Sequence, residues 1–300
     1  MCYESSKKLL HKEILHISSK QVLLKCNDFV VMFATSNEIS SLMYEIGRLR
    51  EKSFSENGQG TGSDIDIDRF DFEYTHIFVW NRASKEIIAG CRLGLTDLIL
   101  KNSGNSGLYT NKLFYTFDSF IEYFSCSIEM GRVFINSKYK KQFLPLRILW
   151  QGIFLFAISK DKYSRFFGSL SISQNYSEYS KAVILKYIMK AYGDSVLAEA
   201  ILPRNPYEIS ESALRFQPEN PIKNTKDLDL TIRKLERNVR GIPILLKHYL
   251  NLNVKVLGFC LDHDFSNTLD ILVSFDISKE TNCVLEKYLG KKILFFKRQL

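Results

Sequence analysis

Glu129 and Arg132 stand three residues apart in the stretch Cys126-Ser-Ile-Glu-Met-Gly-Arg-Val-Phe-Ile135. Apolar and β-branched neighbours make Ile128–Ile135 a strand. A carboxylate and a guanidinium on such a strand, facing the start of the next helix, suit a site that grips an anionic carrier beside an amine. The spacing sets a condition. Residues three apart point to opposite faces of a regular strand, so the two share one site only if the strand is bulged. The open alternative for Glu129 is a structural ion pair with Arg132 or Arg92.

A second charged group is Asp64, Asp66, Asp68 and Asp71, which follows the glycine-rich Asn57-Gly-Gln-Gly-Thr-Gly62. No Lys-Ser/Thr opens a helix after those glycines, so they form no nucleotide P-loop. The central glycine and closing glutamate of a calcium loop are both missing, and no metal site is expected. Asp64 and Asp66 are expected in a solvated loop. His76, at the start of an apolar strand, is expected half-buried, with a base role as the alternative. Asp262-His263-Asp264 is expected to be a surface turn, because adjacent turn residues rarely converge on one point.

The elements that position these residues follow from periodicity. Val22–Lys25 and Phe29–Ala34 form a hairpin, then Thr35-Ser-Asn-Glu38 reads as a capping box. Ile39, Leu42, Met43, Ile46 and Leu49 recur at helical spacing up to about Arg50. His76–Trp80 and Glu86–Leu93 make a second hairpin around Asn81–Lys85. Leu113–Phe124 is aromatic-rich and helical or irregular. The strand bearing Glu129 is followed by a helix from Pro145 to Ser159, which suits proline in its first turn, and by a strand over Arg165–Ile172. Helices are expected over Ser177–Tyr192, Asp227–Arg237 and Ile242–Leu250, and strands over Val254–Leu261 and Leu269–Phe275. The prolines at 203, 206, 218 and 221 read as a loop. The sum is an α/β chain with a mixed sheet and helices packed on it.

Composition narrows the classes. The 300 residues are 45% hydrophobic, enough for one large core or two smaller ones. The net charge of +8 favours an acidic partner, unless it serves solubility alone. Six scattered cysteines include no Cys-x-x-Cys pair, which argues against zinc or a disulfide framework. Met1–Lys12 is polar, and Ile148–Ile158 is too short to span a bilayer. The expected location is the cytoplasm, with contact at the inner face of an anionic membrane as an option.

An ordered set of short motifs now carries a resemblance. Glu45-Ile-Gly-Arg-Leu-Arg-Glu-Lys-Ser-Phe54, Gly60-Thr-Gly62, Asp66-Ile-Asp-Arg-Phe-Asp71, His76-Ile-Phe-Val-Trp80 and Gly90-Cys-Arg-Leu93 are followed by Leu108-Tyr-Thr110, Glu129-Met-Gly-Arg132, Leu149-Trp-Gln-Gly152 and Gly168-Ser-Leu-Ser-Ile-Ser173. Gly241–Leu250 and Phe265-Ser-Asn-Thr-Leu-Asp270 extend it to about residues 20–280. Together they resemble the hemolysin-like branch of the GNAT acyltransferases, which includes the N-acyltransferases of ornithine-lipid and glycine-lipid synthesis.

The resemblance implies a GNAT-like core over 21–176, after an N-terminal lead at 1–20, with an α/β extension over 177–300 packed on it. It implies transfer of a (3-hydroxy)acyl chain from acyl-carrier protein to the α-amine of ornithine or glycine. No cofactor is implied beyond the phosphopantetheine thioester, and no nucleic acid. A separate O-acyltransferase would complete the lipid, since the chain looks too short to hold both activities. Glu129 is then the first candidate for base or amine-orienting carboxylate, with Asp68 and Asp71 beside it to bind the amino group or orient Arg50. Arg50 and Arg92 would take the amino acid's carboxylate in forked contacts, Phe54, Trp80 and Arg132 would complete the substrate site, and the backbone at Val133 would form an oxyanion hole. Cys91 and Cys126 lack a histidine partner, so direct attack by the amine is favoured over a thiol intermediate.

The chain also departs from acetyltransferases that cradle a pyrophosphate with glycines before the central helix. Here that place reads Lys141-Gln-Phe-Leu-Pro-Leu146, and Lys138, Lys140 and Lys141 suit phosphopantetheine or the acidic face of a carrier protein. The aromatics Phe114, Tyr115, Phe117, Phe120, Tyr123 and Phe124 are open to a role in an acyl tunnel, in ordinary core or at a membrane surface. A more distant resemblance, to the acyl-homoserine-lactone synthases, rests on Arg50, Phe54, Asp68, Asp71, Glu129 and Arg132. That activity and a non-enzymatic basic membrane-surface or nucleic-acid-binding protein are the alternatives.

Overall fold

The structure is a computed structural model that describes residues 3–236, 241–278 and 288–290. Cys2, Cys283 and Arg237, the end of one expected helix, lie outside the described residues.

The chain opens with α1 (Tyr3–His16), where sequence showed only a polar lead. Leu10 is buried in the core cluster that also holds residues of the next helix, and the His11 ring stacks on Trp80. Then come β1 (Val22–Cys26), β2 (Phe29–Thr35) and α2 (Ser40–Ser55). The capping box holds as expected, with the Glu38 carboxylate accepting from the Thr35 N–H at 2.8 Å, but it closes a short 3-10 turn before α2. The second hairpin is β3 (Thr75–Asn81) and β4 (Glu86–Leu95). The stretch before the central strand divides into α3 (Thr96–Ser103), α4 (Thr110–Leu113), β5 (Phe114–Thr116) and α5 (Asp118–Phe124).

The central unit follows the periodicity closely: β6 (Ile128–Ile135), α6 (Leu144–Ser159) and β7 (Arg165–Ile172). Beyond it are α7 (Glu178–Tyr192), α8 (Ser195–Ala198), β8 (Ile201–Pro203), α9 (Glu211–Arg215), α10 (Thr225–Leu235), α11 (Ile244–Asn251), β9 (Lys255–Asp262) and β10 (Thr268–Asp276). The proline-rich loop thus holds the short helix α9, capped by the Ser210 hydroxyl accepting from the Ala213 N–H.

Eight strands form one mixed sheet in the order β1-β2-β3-β4-β6-β7-β10-β9, and β5 pairs with β8 in a separate ribbon. The C-terminal segment therefore supplies two strands of the main sheet. Alternation along each strand sends side chains to two cores. Val31, Ile77, Val79 and Leu170 face the large cluster that holds α6. Met32, Phe78 and Trp80 face the cluster that holds Leu42 and Ile46 of α2. Phe114, Phe120 and Phe124 pack with Phe167 and Leu272 in a third cluster, so these aromatics are core, while Tyr115, Phe117 and Tyr123 are exposed.

β6 and β7 are the only parallel neighbours among the described strands, and their ladder is short: Ile128 with Phe166 and Glu129 with Phe167. At its end β7 crosses close to β6. A Cβ on Gly168 would lie 2.1 Å from the Met130 carbonyl oxygen, so that approach requires glycine. Beyond it a cleft of about 510 Å³ separates Gly131–Ile135 from Ser169–Ser173.

Candidate active site

β6 carries the bulge on which the site depends. It pairs with β4 as Gly90 with Phe134 and Arg92 with Gly131, so Arg132 and Val133 together oppose Cys91. Arg132 has φ +54°, a left-handed conformation that costs a non-glycine residue about 1–2 kcal/mol. The extra residue changes the phase of alternation. Met130 faces the α6 core and Phe134 the α2 core, and Arg132 turns to the side of Glu129. Both line the cleft.

Glu129 is 2% exposed and held by four donors. Its Oε1 accepts from the Thr110 N–H at 2.6 Å and the Thr110 hydroxyl at 2.5 Å. Its Oε2 accepts from the Tyr109 N–H at 3.0 Å and from the Tyr74 hydroxyl. Burial pushes the Glu129 carboxyl above its usual range, and these donors oppose the shift. The arrangement anchors the Tyr109–Thr110 segment to the central strand. It makes no ion pair with Arg132 or Arg92.

The arginines pair with the acidic run. Arg50 Nε donates to Asp66 Oδ2 at 2.9 Å and Nη1 to Asp71 Oδ1 at 2.7 Å. Arg92 forks onto Asp68 at 2.5 and 3.0 Å, and its Nη1 lies 3.1 Å from Asp71. Arg132 Nε lies 3.0 Å from Asp66, and Nη2 3.5 Å from Asp68. Three guanidinium groups and three carboxylates balance, which is what makes their burial tolerable. Asp66, expected in a solvated loop, is 1% exposed, because two arginines hold it inside; Asp64 is exposed as expected. Burial opposes ionisation of Asp71, but the Arg50 and Arg92 charges hold its carboxyl well below the usual range. The forked contacts expected toward substrate are thus made within the protein. Arg92 Nε and Arg50 Nη2 are left buried without a hydrogen-bond partner, and Arg92 lines the cleft.

A second chain of polar groups runs toward β9 and β10. Arg132 Nη1 donates to the Tyr109 hydroxyl at 3.2 Å, which donates to Asp262 Oδ2 at 2.7 Å. Asp262 is 2% exposed, so the expected surface turn begins with a buried carboxylate; Asp264 is exposed and pairs with Lys112 at 2.8 Å. Asp270 is 3% exposed and lines the cleft.

The other expected residues divide between the cleft wall and the rest of the fold. Phe54 lines the cleft and meets Phe265 edge-to-face at 5.3 Å. Trp80 does not line it: its even position on β3 turns it into the α2 core. Val133 is on the cleft wall at the bulge. Lys140 is on the wall, paired with Glu56 at 2.7 Å; Lys138 reaches Glu86 at 2.6 Å, and Lys141 is exposed. His76 is 1% exposed, its ring Nε2 donating to the Asp71 carbonyl at 2.9 Å, and burial lowers it to about 4. Cys91 is buried, and burial pushes its thiol up. No group of residues suited to a metal ion occurs among the described residues.

Tyr74, Tyr109, Thr110, Asp262 and Asp270 were assigned no role from sequence. The motifs Leu108-Tyr-Thr110 and Phe265–Asp270 mark three of them, and the signal available was membership in those motifs alone. The contacts themselves join residues as far apart as Tyr109 and Asp262.

Known proteins place this architecture. Residues 49–151 match the acetyltransferase (GNAT) domain model. A glycine N(alpha)-acyltransferase of Bacteroides thetaiotaomicron is 31% identical over 290 residues, covering 90% of this chain and 84% of that protein. A glycine N(alpha)-acyltransferase of Phocaeicola vulgatus is 28% identical over 279 residues, covering 87% and 84%. The structure of FeeM, an N-acyl amino acid synthase from uncultured soil microbes, aligns with a TM-score of 0.45 at 9% identity, covering 84% of this chain and 93% of that chain. The fold is that of a GNAT acyltransferase. The chain belongs to the GNAT acyltransferases, in the same family as the two glycine N(alpha)-acyltransferases.

Proposed function

We propose that this acyltransferase moves a fatty acyl chain from the phosphopantetheine thioester of acyl-carrier protein to the α-amine of glycine, the first step toward an amino-acid lipid. The observation that carries the reading is the cleft at the β6–β7 divergence. Its wall changes character from one face of the sheet to the other: Arg92, Arg132 and Tyr109 on one side, Leu146, Ile242 and Leu245 on the other. A small zwitterion suits the first side and an acyl chain the second. The two glycine-acylating relatives support the choice of acceptor over ornithine.

What precedes α6 supports a carrier-protein donor. Loop 136–143 contains no glycine, and Pro145 removes one N–H from the first helical turn. A pyrophosphate would find few donors there, whereas a single phosphate on a pantetheine arm needs only a cation such as Lys140 at the wall. The pantetheine arm would enter between the separated strands and use their backbone groups as an added strand does.

At the reacting centre, the backbone N–H groups of the bulge near Val133 would receive the developing oxyanion. Arg92 Nε–H is the buried donor left for the acceptor's carboxylate. Glu129 holds Tyr109 and Thr110 in place and acts through them, while Asp68 and Asp71 keep the arginines oriented. The product would carry one acyl chain, and the exposed Phe143 (66%) and the exposed cleft residue Ile244 (66%) offer apolar surface for passing it to a membrane and a separate O-acyltransferase. No helix among the described residues is long and apolar enough to cross a membrane.

The donor is tested by initial rates with one acyl chain presented on acyl-carrier protein and on coenzyme A at equal concentration. The carrier protein should be favoured at least tenfold; equal or better use of the coenzyme A thioester would refute the donor assignment.

A further inference from the structure

An α-ammonium cannot attack a thioester until its proton is removed. Glu129, the residue first expected to remove it, has both oxygens occupied by two donors each. Asp66, Asp68 and Asp71 are engaged by arginines and do not line the cleft. Among the described residues the wall carries two carboxylates, Glu129 and Asp270, and no imidazole.

Asp270 sits within β10, directly opposite Ser171 of β7 and Cys260 of β9. Directly opposed residues share a face, so Asp270 lies on the side of Ser169 and Ser171, one strand beyond the β6–β7 divergence. That is also the side of Tyr109 and Arg132. Its Oδ1 accepts from the Thr268 hydroxyl at 2.9 Å, and the Ser171 and Ser169 hydroxyls also favour its charged form. The titratable groups that face it are Asp262 and Cys260 on β9 and Tyr109. Asp262 is itself tied through Tyr109 to Arg132.

We propose that Asp270 is the catalytic base that takes the proton from the acceptor's ammonium, a role that rests on the amine-acylation reading above. The proton passes from nitrogen to the Asp270 carboxylate. The neutral amine forms the C–N bond at the thioester carbonyl carbon as the C–S bond breaks. The sulfur leaves with one proton from the attacking nitrogen, and Asp270 returns its own to water, so each turnover releases one amide, one thiol and one proton. Burial first, then the Asp262 charge, raise the Asp270 carboxyl to about 6, which suits a base at neutral pH.

The test uses the full chain with palmitoyl-charged carrier protein and glycine, reading thiol release from pH 5 to 9. Asp270→Asn should lower kcat by about 10²–10⁴, erase the acidic limb near pH 6 and leave KM for the carrier protein little changed. It should also raise the melting temperature at pH 8. A group whose folded pKa lies above its unfolded value supports the fold only at low pH, and that support is lost as pH rises through the folded value. Asp262→Asn removes a neighbouring charge and should move the limb to lower pH, an outcome that does not depend on Asp270→Asn folding. Wild-type rate in Asp270→Asn with its limb intact, or a limb that stays in place in Asp262→Asn, overturns the role of Asp270. A wild-type protein that releases no thiol with any amino acid overturns the amine-acylation reading itself, before any variant is made.

Discussion

Replacing Arg132 by alanine and, separately, by glycine isolates the backbone feature that makes the site. Both variants remove the guanidinium 3.0 Å from Asp66 and leave three carboxylates, the buried Asp66 and Asp71 and the half-buried Asp68, facing two arginines. Breaking a buried pair costs about 3–5 kcal/mol. With a melting entropy of about 2.1 cal/mol/K per residue, this lowers the melting temperature of a chain of this length by about 5–8 °C in both. The difference between the variants is diagnostic. At φ +54° alanine carries about 1–2 kcal/mol of strain that glycine does not, partly offset by about 0.5–1 kcal/mol from the greater freedom of glycine in the unfolded chain. Arg132→Gly should therefore melt about 1–2 °C above Arg132→Ala by calorimetry. In a regular strand the order reverses. An alanine variant more stable than the glycine variant would remove the bulge, and with it the reason Glu129 and Arg132 share a face.

Glu129→Gln separates an anchor from a base. An amide has one accepting oxygen: with its nitrogen at Oε1 the Thr110 N–H is left buried without a partner, and with its nitrogen at Oε2 the Tyr109 N–H keeps only the Tyr74 hydroxyl, at 3.1 Å; losing a buried acceptor costs about 1–3 kcal/mol, less what is regained by removing a charge that burial disfavours. The anchor role predicts a lower melting temperature with a modest loss of kcat; unchanged melting with a loss of a hundredfold or more would identify a base. His76 predicts a pH signature. Its folded pKa of about 4 lies below the unfolded value of 6.5, so the unfolded chain takes up the proton first and stability falls as pH drops from 6.5 to 4, by about 3 kcal/mol. His76→Gln should lack this contribution in urea titrations at pH 7 and pH 4.5, and equal losses in both proteins would contradict it.

Much of the frame was legible because periodicity survives where an element is buried on both sides or on one clean face. β6 and β7 begin and end as read, and α6 starts one residue before Pro145. α1 was not legible, because among its described side chains, residues 7–16, only Leu10 is buried, and the contacts that hold it, His11 on Trp80 and the Glu13 carboxylate on the Ser41 and Leu42 N–H groups, are tertiary. In the site, Arg50, Arg92, Arg132, Asp68, Asp71 and Glu129 do come together. Their partners were the harder part: Asp66 looks solvated in a run of aspartates, and only the folded loop brings two arginines to it. Trp80 shows the converse, an aromatic in a family motif whose face is set by alternation with Phe78 and belongs to the core. Asp262 and Asp270 lie on strands that join the sheet from the far end of the chain, so no local pattern ties them to Tyr109 or the cleft.

The proposed reaction is acyl transfer to the amine of glycine. The direct measurement is mass spectrometry of the product formed from purified protein, palmitoyl-charged carrier protein and isotopically labelled glycine. N-palmitoylglycine carrying the label, formed together with holo-carrier protein in equal amounts, is the predicted result. Release of free fatty acid with no labelled amide, at any glycine concentration, would contradict the account.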